Sequence, residues 1–190
     1  MDHQNEKKKN EWISSTVVLL MDSREERQKG QPEHFAAIAL DILVRKLLEV
    51  QKENFTKDSY DLLQHAIFNA IGMKSTDIAQ ASDGLIIAAG KLQTSPLLMH
   101  SPHPYNYINK VNPIQNTGSV LRNTLQAILF NVQRFPYNEM TDRSVKQIKQ
   151  TIQFAKETID QNATTHELVF ALRSVLGSLM DIQLPTKKMV

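Results

Sequence analysis

EHFAAIALDILVRKLLEV, residues 33–50, is the stretch that decides the fold. Phe35, Ile38, Ala39, Ile42, Leu43, Leu47 and Val50 recur at intervals of three and four, which gathers them on one face of a 3.6-residue helix. Glu33, Asp41 and Arg45, with Lys52 and Glu53 just beyond, take the other face. Pro32 precedes the run and suits a first helical position, because the N–H it lacks has no partner in an opening turn.

The same rhythm extends in both directions. Upstream, Trp12, Ile13, Val17, Leu20 and Met21 have helical spacing, with a buried strand as the alternative reading of the β-branched Thr16-Val17-Val18 run. Downstream, Thr56 is placed to cap a helix carrying Tyr60, Leu63, Ile67, Phe68 and Ile71, which Gly72 ends. Ser75 or Thr76 opens a thin helix bearing Ile78, Leu85, Ile86, Ala89 and Leu92 among small residues. Thin helices suit central positions. Gly84 and Gly90 each cost about 1 kcal/mol relative to Ala inside a helix, so both are expected where a methyl group would obstruct a neighbour.

Further helices are expected over Val120–Val132, from Thr141-Asp142 through Ile159, and from Thr164 to Ile182. Thr164 and Glu167 have capping-box spacing, each side chain satisfying an otherwise unpaired N–H of the first turn. Between the thin helix and Val120 the texture changes. Residues 94–118 hold Pro96, Pro102, Pro104 and Pro113 with no helical period, and long connections of this kind are usually functional or disordered.

The expected fold is all-α: one helical bundle of six to seven helices with one long Pro-rich loop. Residues 1–10 are expected to be a disordered tail, 11–185 a single domain containing the loop 94–118, and 186–190 a C-terminal tail. No apolar run approaches the length of a membrane span. The Lys7–Lys9 cluster and the apolar stretch after it fail as a secretory signal, because Glu11 divides them and Asp22-Ser23-Arg24-Glu25-Glu26 stands where a cleavage site would be. The expectation is a cytoplasmic protein. Asn54-Phe55-Thr56 and Asn162-Ala163-Thr164 match the glycosylation pattern, but both threonines have helix capping as their explanation.

Catalytic signatures come close and fail on the residue that the chemistry needs. The chain has no cysteine, which removes disulfides, thiolate metal sites and thiol nucleophiles together. Gly84 to Lys91 has one residue too many for a phosphate-binding loop, and Leu92 replaces its hydroxyl. His166-Glu167 opens like a zinc-protease helix, yet Phe170 stands in place of the second histidine. His100 and His103 lack a nearby carboxylate. His65 reads as a satisfied, semi-buried side chain. Neither a catalytic residue, a cofactor nor a metal is expected. With 22 basic and 20 acidic residues and no basic stripe interleaved with aromatics, a nucleic-acid partner is not expected either.

What remains is a non-catalytic protein-binding function: an adaptor, chaperone-like or accessory subunit of a larger assembly, a monomer or weak homodimer. A bacterial secretion machine is one setting that such a subunit would serve. Partner contacts are expected from Leu97, Leu98, Met99, Tyr105, Tyr107, Ile108 and Lys110, two apolar clusters on proline-stiffened backbone; the alternative is that these clusters cap the bundle's own core. No Asp or Glu lies between Asp83 and Glu139, which favours an acidic partner surface. Two rival readings are a ligand-binding protein or enzyme with a pocket between helices and Tyr105, Tyr107, His100 or His103 supplying polar groups, and a secreted bacterial effector.

Overall fold

The computed structural model describes residues 33–73, 77–96 and 115–184. The expected Trp12–Met21 helix, Pro32, both tails and residues 97–114 of the long loop lie outside these residues. The fold is an all-α bundle. Its helices are α1 (Glu33–Leu48), α2 (Lys57–Gly72), α3 (Ile78–Gly90), α4 (Thr117–Val132), α5 (Asp142–Asp160) and α6 (Thr165–Met180), with short 3-10 turns at Lys52–Asn54 and Tyr137–Glu139. No strand occurs among the described residues; extended pairing is confined to one isolated antiparallel bridge, Phe55 with Thr94.

Helices α1, α3, α4 and α6 each pack against the other three, forming a four-helix centre; α2 lies against α3 and α1, and α5 against α6 and α4. The thin helix is therefore central, as its small residues imply. Burial of α1 is wider than a single stripe: Ala36, Leu40 and Val44 are as buried as Leu43 and Leu47, while Ile38 and Ile42 sit at the half-exposed edge. A helix enclosed by three or four neighbours buries more than the third of its surface that one apolar rhythm marks.

Caps set where the elements begin. Thr164 Oγ1 accepts from Glu167 N at 3.3 Å, and Glu167 Oε2 accepts from Thr164 N at 2.7 Å, the expected reciprocal pair. Thr141 Oγ1 accepts from Ser144 N at 3.4 Å. Asn116 and Ser119 form a second capping box, so α4 starts at Thr117, inside the stretch expected to be loop. Thr56 departs from expectation, because its hydroxyl meets Ser59 Oγ at 2.8 Å instead of a backbone N–H of the first turn.

The two ends of the long loop are fixed to one place. Ser95 N donates to Asn54 O and Thr56 N to Gln93 O, both at 2.8 Å. On the returning side, Gln51 N donates to Gln115 Oε1 at 2.7 Å, and Thr117 Oγ1 donates to Leu92 O at 2.6 Å. The loop thus leaves and re-enters at the end of the bundle where α1 and α3 finish and α2 and α4 start. At the opposite end the rings of Phe35 and Phe135 meet with centroids 5.0 Å apart, bringing the start of α1 to the end of α4. Tyr137, whose hydroxyl donates to Val132 O at 2.7 Å, continues that end toward α5.

The glycines correct one expectation. A Cβ on Gly90 would lie 2.8 Å from Val169 Cγ2, the close α3–α6 approach expected there, whereas Gly84 is exposed with nothing within 4 Å. Phe68 likewise departs from its expected stripe and is half exposed, because the buried face of α2 runs through Ser59, Leu63, Ile67 and Ala70. His65 is exposed and not semi-buried, for the same reason.

Candidate functional site

Helix α5 rests on α6 and α4, which leaves its other side facing outward. Ser144, Ile148, Ile152, Ala155 and Thr158 turn inward. On the outward side, a groove of about 590 Å³ runs along the helix from Asp142 to Glu157, with Val145, Lys146, Lys149, Gln150, Gln153 and Phe154 between them. Lys146 and Lys149 supply the positive charge of its first half, and Lys149 Nζ lies 6.0 Å from the centroid of the Tyr137 ring. Phe154 marks the second half.

Helices α5 and α6 are antiparallel: Thr141 N donates to Gln183 O at 3.0 Å, and Gln183 N donates to Ser144 Oγ at 2.9 Å. That register brings Phe154 against Phe170 of α6, centroids 5.8 Å apart and ring planes at 88°. Edge-to-face geometry of this kind is favourable between aromatic quadrupoles. The two residues nevertheless stay 40% and 56% exposed. Helix α3 continues the surface. Asp83 of α3 accepts a forked pair of hydrogen bonds from Arg173 of α6, Nη2 to Oδ2 at 2.7 Å and Nε to Oδ1, while Gly90 abuts Val169. This antiparallel register sets Ile87, 37% exposed, opposite the Val169–Phe170 turn. Three large exposed apolar side chains, Ile87 of α3, Phe170 of α6 and Phe154 of α5, thus lie as a stripe on neighbouring helices, with the two phenylalanine rings in contact and Phe154 lining the groove.

The stripe was not among the expected contacts. Its signal in the sequence is that Phe154 and Phe170 both fall off the 3, 4 rhythm of their helices: Phe154 adjoins Ala155 of the inward face, and Phe170 lies between Leu168 and Leu172. An aromatic residue off the apolar face of an amphipathic helix has to face outward. All seven expected contact residues, Leu97 to Met99, Tyr105, Tyr107, Ile108 and Lys110, lie outside the described residues, as do His100 and His103.

Elsewhere the polar groups hold the fold together. Hydrogen bonds from Thr164 hold the Glu167 carboxyl below the usual carboxylate range, and Arg173 does the same for Asp83. Burial pushes the Tyr137 hydroxyl up. Arg122 closes the carboxyl end of α5 by donating to Ile159 O and, at 3.3 Å, to Gln161 O. Gly84 to Gly90 is helical, so it forms no phosphate-cradling loop. Among the described residues no three His, Asp or Glu side chains come together as a metal-ligand group, and no helix is long and apolar enough to cross a membrane.

Comparison with family models, with curated proteins and with solved structures finds no match to this chain.

Proposed function

We propose that this chain is a non-catalytic helical protein that holds another protein, an adaptor or accessory subunit, and that it does so through the stripe of Ile87, Phe170 and Phe154 and the adjoining groove. The observation that carries this reading is the Phe154–Phe170 pair: two rings in ordered contact at the junction of α5 and α6, each about half exposed. Contiguous exposed apolar surface with a polar rim is the mark of an interaction site. A linear groove along one helix suits an amphipathic helix as the guest, with its apolar ridge on the phenylalanines and an acidic flank toward Lys146 and Lys149. The loop residues Leu97 to Met99 and Tyr105 to Ile108 are a second contact in this proposal.

A small-molecule site is less well supported. The groove's volume lies within the range of roughly 300–1,000 Å³ usual for ligand pockets. Its described lining, however, is six polar or charged side chains with Val145 and Phe154, whereas ligand pockets are lined predominantly by apolar ones. The experiment is affinity capture from the native cell with the intact chain and with Phe154→Asp/Phe170→Asp side by side. Stoichiometric partners present with the first and lost with the second, with both chains cooperatively folded at the temperature of capture, are the expected result.

A further inference from the structure

We propose that one partner of the aromatic stripe is a second copy of this chain, docked across a two-fold axis so that α6 runs antiparallel to α6 of the copy, with α3 on α3 and α5 on α5. This rests on the protein-binding reading above and names an occupant for the same face.

Helices α3, α6 and α5 lie side by side, and each presents an exposed row of residues at intervals of three and four. Every row has a carboxylate at one end and an N–H donor at the other: Asp77 and Lys91 on α3, Asp181 and His166 on α6, Glu157 and Arg143 on α5. All six are exposed.

The midpoints of these rows are Gly84 on α3, the step between Arg173 and Ser174 on α6, and Gln150 on α5. The Asp83–Arg173 pair sets the first beside the second, and the Thr141–Gln183 and Phe154–Phe170 contacts set the third opposite Ser174. A single two-fold axis laid across the three helices at that level reverses every row onto its own counterpart. Lys91 then faces the copy's Asp77, His166 its Asp181 and Arg143 its Glu157, and each contact occurs twice, as a self-complementary interface requires. At the centre Asp83 and Arg173 neutralise each other within each copy, so no like charges meet on the axis.

Shape follows the same axis. Phe170 and Gly177 share the midpoint of His166 and Asp181, so the exposed Phe170 ring descends on the copy's Gly177, around whose Cβ position nothing lies within 4 Å. Phe154 comes opposite Gln147, and Ile87 opposite Gln80, beside Gly84, the second exposed glycine with open space around it. Glycine is unfavourable inside a helix, and neither Gly84 nor Gly177 is explained by a neighbour in its own chain. The copy's large apolar side chains supply the neighbour.

Three helices spaced about 9 Å apart, over the ~22 Å from His166 to Asp181, present about 600 Å² per copy, or about 1,200 Å² in all, the lower end of a specific interface. The dimer is therefore one that another partner can displace.

Sedimentation velocity of the intact chain from about 1 to 300 µM should show a monomer–dimer equilibrium with a Kd of about 10–100 µM. Arg143→Glu and Glu157→Arg should each weaken self-association about tenfold, and an equimolar mixture of the two variants should associate as tightly as the intact chain, because only the mixed pair restores both contacts. Gly177→Gln should weaken the dimer by about tenfold or more, while its melting temperature at about 1 µM is kept or raised, glutamine being the better helix former.

A chain that stays monomeric to about 300 µM overturns the proposal. So does a dimer that Gly177→Gln leaves intact, or a mixture of the two charge variants that associates no better than either alone. Capture separates this proposal from the reading it rests on. A monomer whose captured partners still depend on Phe154 and Phe170 overturns the dimer alone; a dimer with the expected charge pattern that captures only its own chain supports the dimer and overturns the adaptor.

Discussion

Phe154 of α5 and Phe170 of α6 meet edge to face at 5.8 Å, yet remain 40% and 56% exposed. Their contact contributes order to the surface and little to the stability of the fold. Phe170→Ser should therefore alter unfolding free energy by no more than about 0.5 kcal/mol beyond the loss of that contact, itself about 1 kcal/mol. Leu172→Ala, two residues on and fully buried, should cost about 2–5 kcal/mol. Chemical denaturation of both variants checks the contrast; equal losses would make Phe170 part of the core.

The two glycines of α3 should respond in opposite directions. Gly84 faces open space, so Gly84→Ala should stabilise by up to about 1 kcal/mol through helix propensity alone. At Gly90 an added Cβ would meet Val169 Cγ2 at 2.8 Å, and the branched, stiff valine has little room to yield. Gly90→Ala should lower the melting temperature, and Val169→Ala in the same chain should reduce that penalty. A rise for both glycine variants would place α3 farther from α6 than described.

Acid should weaken the α3–α6 and α5–α6 junctions. The carboxyl groups of Asp83 and Glu167 are held below their ordinary values by Arg173 and by Thr164 respectively. Below their ordinary range the unfolded chain binds protons that the folded chain still resists. Their contribution is thus present above the unfolded-state values and is lost as pH falls through the folded-state values. Melting followed from pH 6 toward about pH 2 should show a decline that is shallower in Asp83→Asn/Glu167→Gln. An unchanged slope would mean that neither interaction matters for acid stability.

Caps offer a graded test of what defines the helix starts. Thr164→Ala and Asn116→Ala each remove one side of a capping box and should cost about 1 kcal/mol. Thr56→Ala should cost less, since the Thr56 hydroxyl caps no backbone N–H of α2 and pairs with Ser59 instead. Thermal melting of the three variants orders them directly.

Most of the architecture was legible in the sequence, because five of the six helices present apolar residues in threes and fours between recognisable stops, and α3 declares itself by its small residues. Three things were not. Asn116 and Ser119 sit in a run of polar residues after Pro113, where a cap and a continuing loop have the same composition, so the start of α4 was placed three residues late. The second buried side of α1, with Leu40 and Val44, depends on how many helices surround it, which is a tertiary fact. The aromatic stripe required three registers at once. Phe154 and Phe170 could be seen to be off their helical faces, but their meeting depends on the α5–α6 pairing at Thr141–Gln183, and the addition of Ile87 on the Asp83–Arg173 pairing. The contacts expected from residues 97–110 are still a proposal.

Protein binding by the phenylalanine face of α5 and α6 is read most directly from the affinity of a purified, captured partner for the intact chain, Phe154→Ala and Phe170→Ala. Buried aromatic anchors at an interface are worth about 2 kcal/mol or more on truncation, a weakening of Kd by about thirtyfold. A loss of at least about tenfold is expected for each variant, with the melting temperature lowered by no more than about 4 °C and with a smaller, salt-dependent loss for Lys149→Ala. Affinities within about twofold of the intact chain for both phenylalanine variants would contradict it.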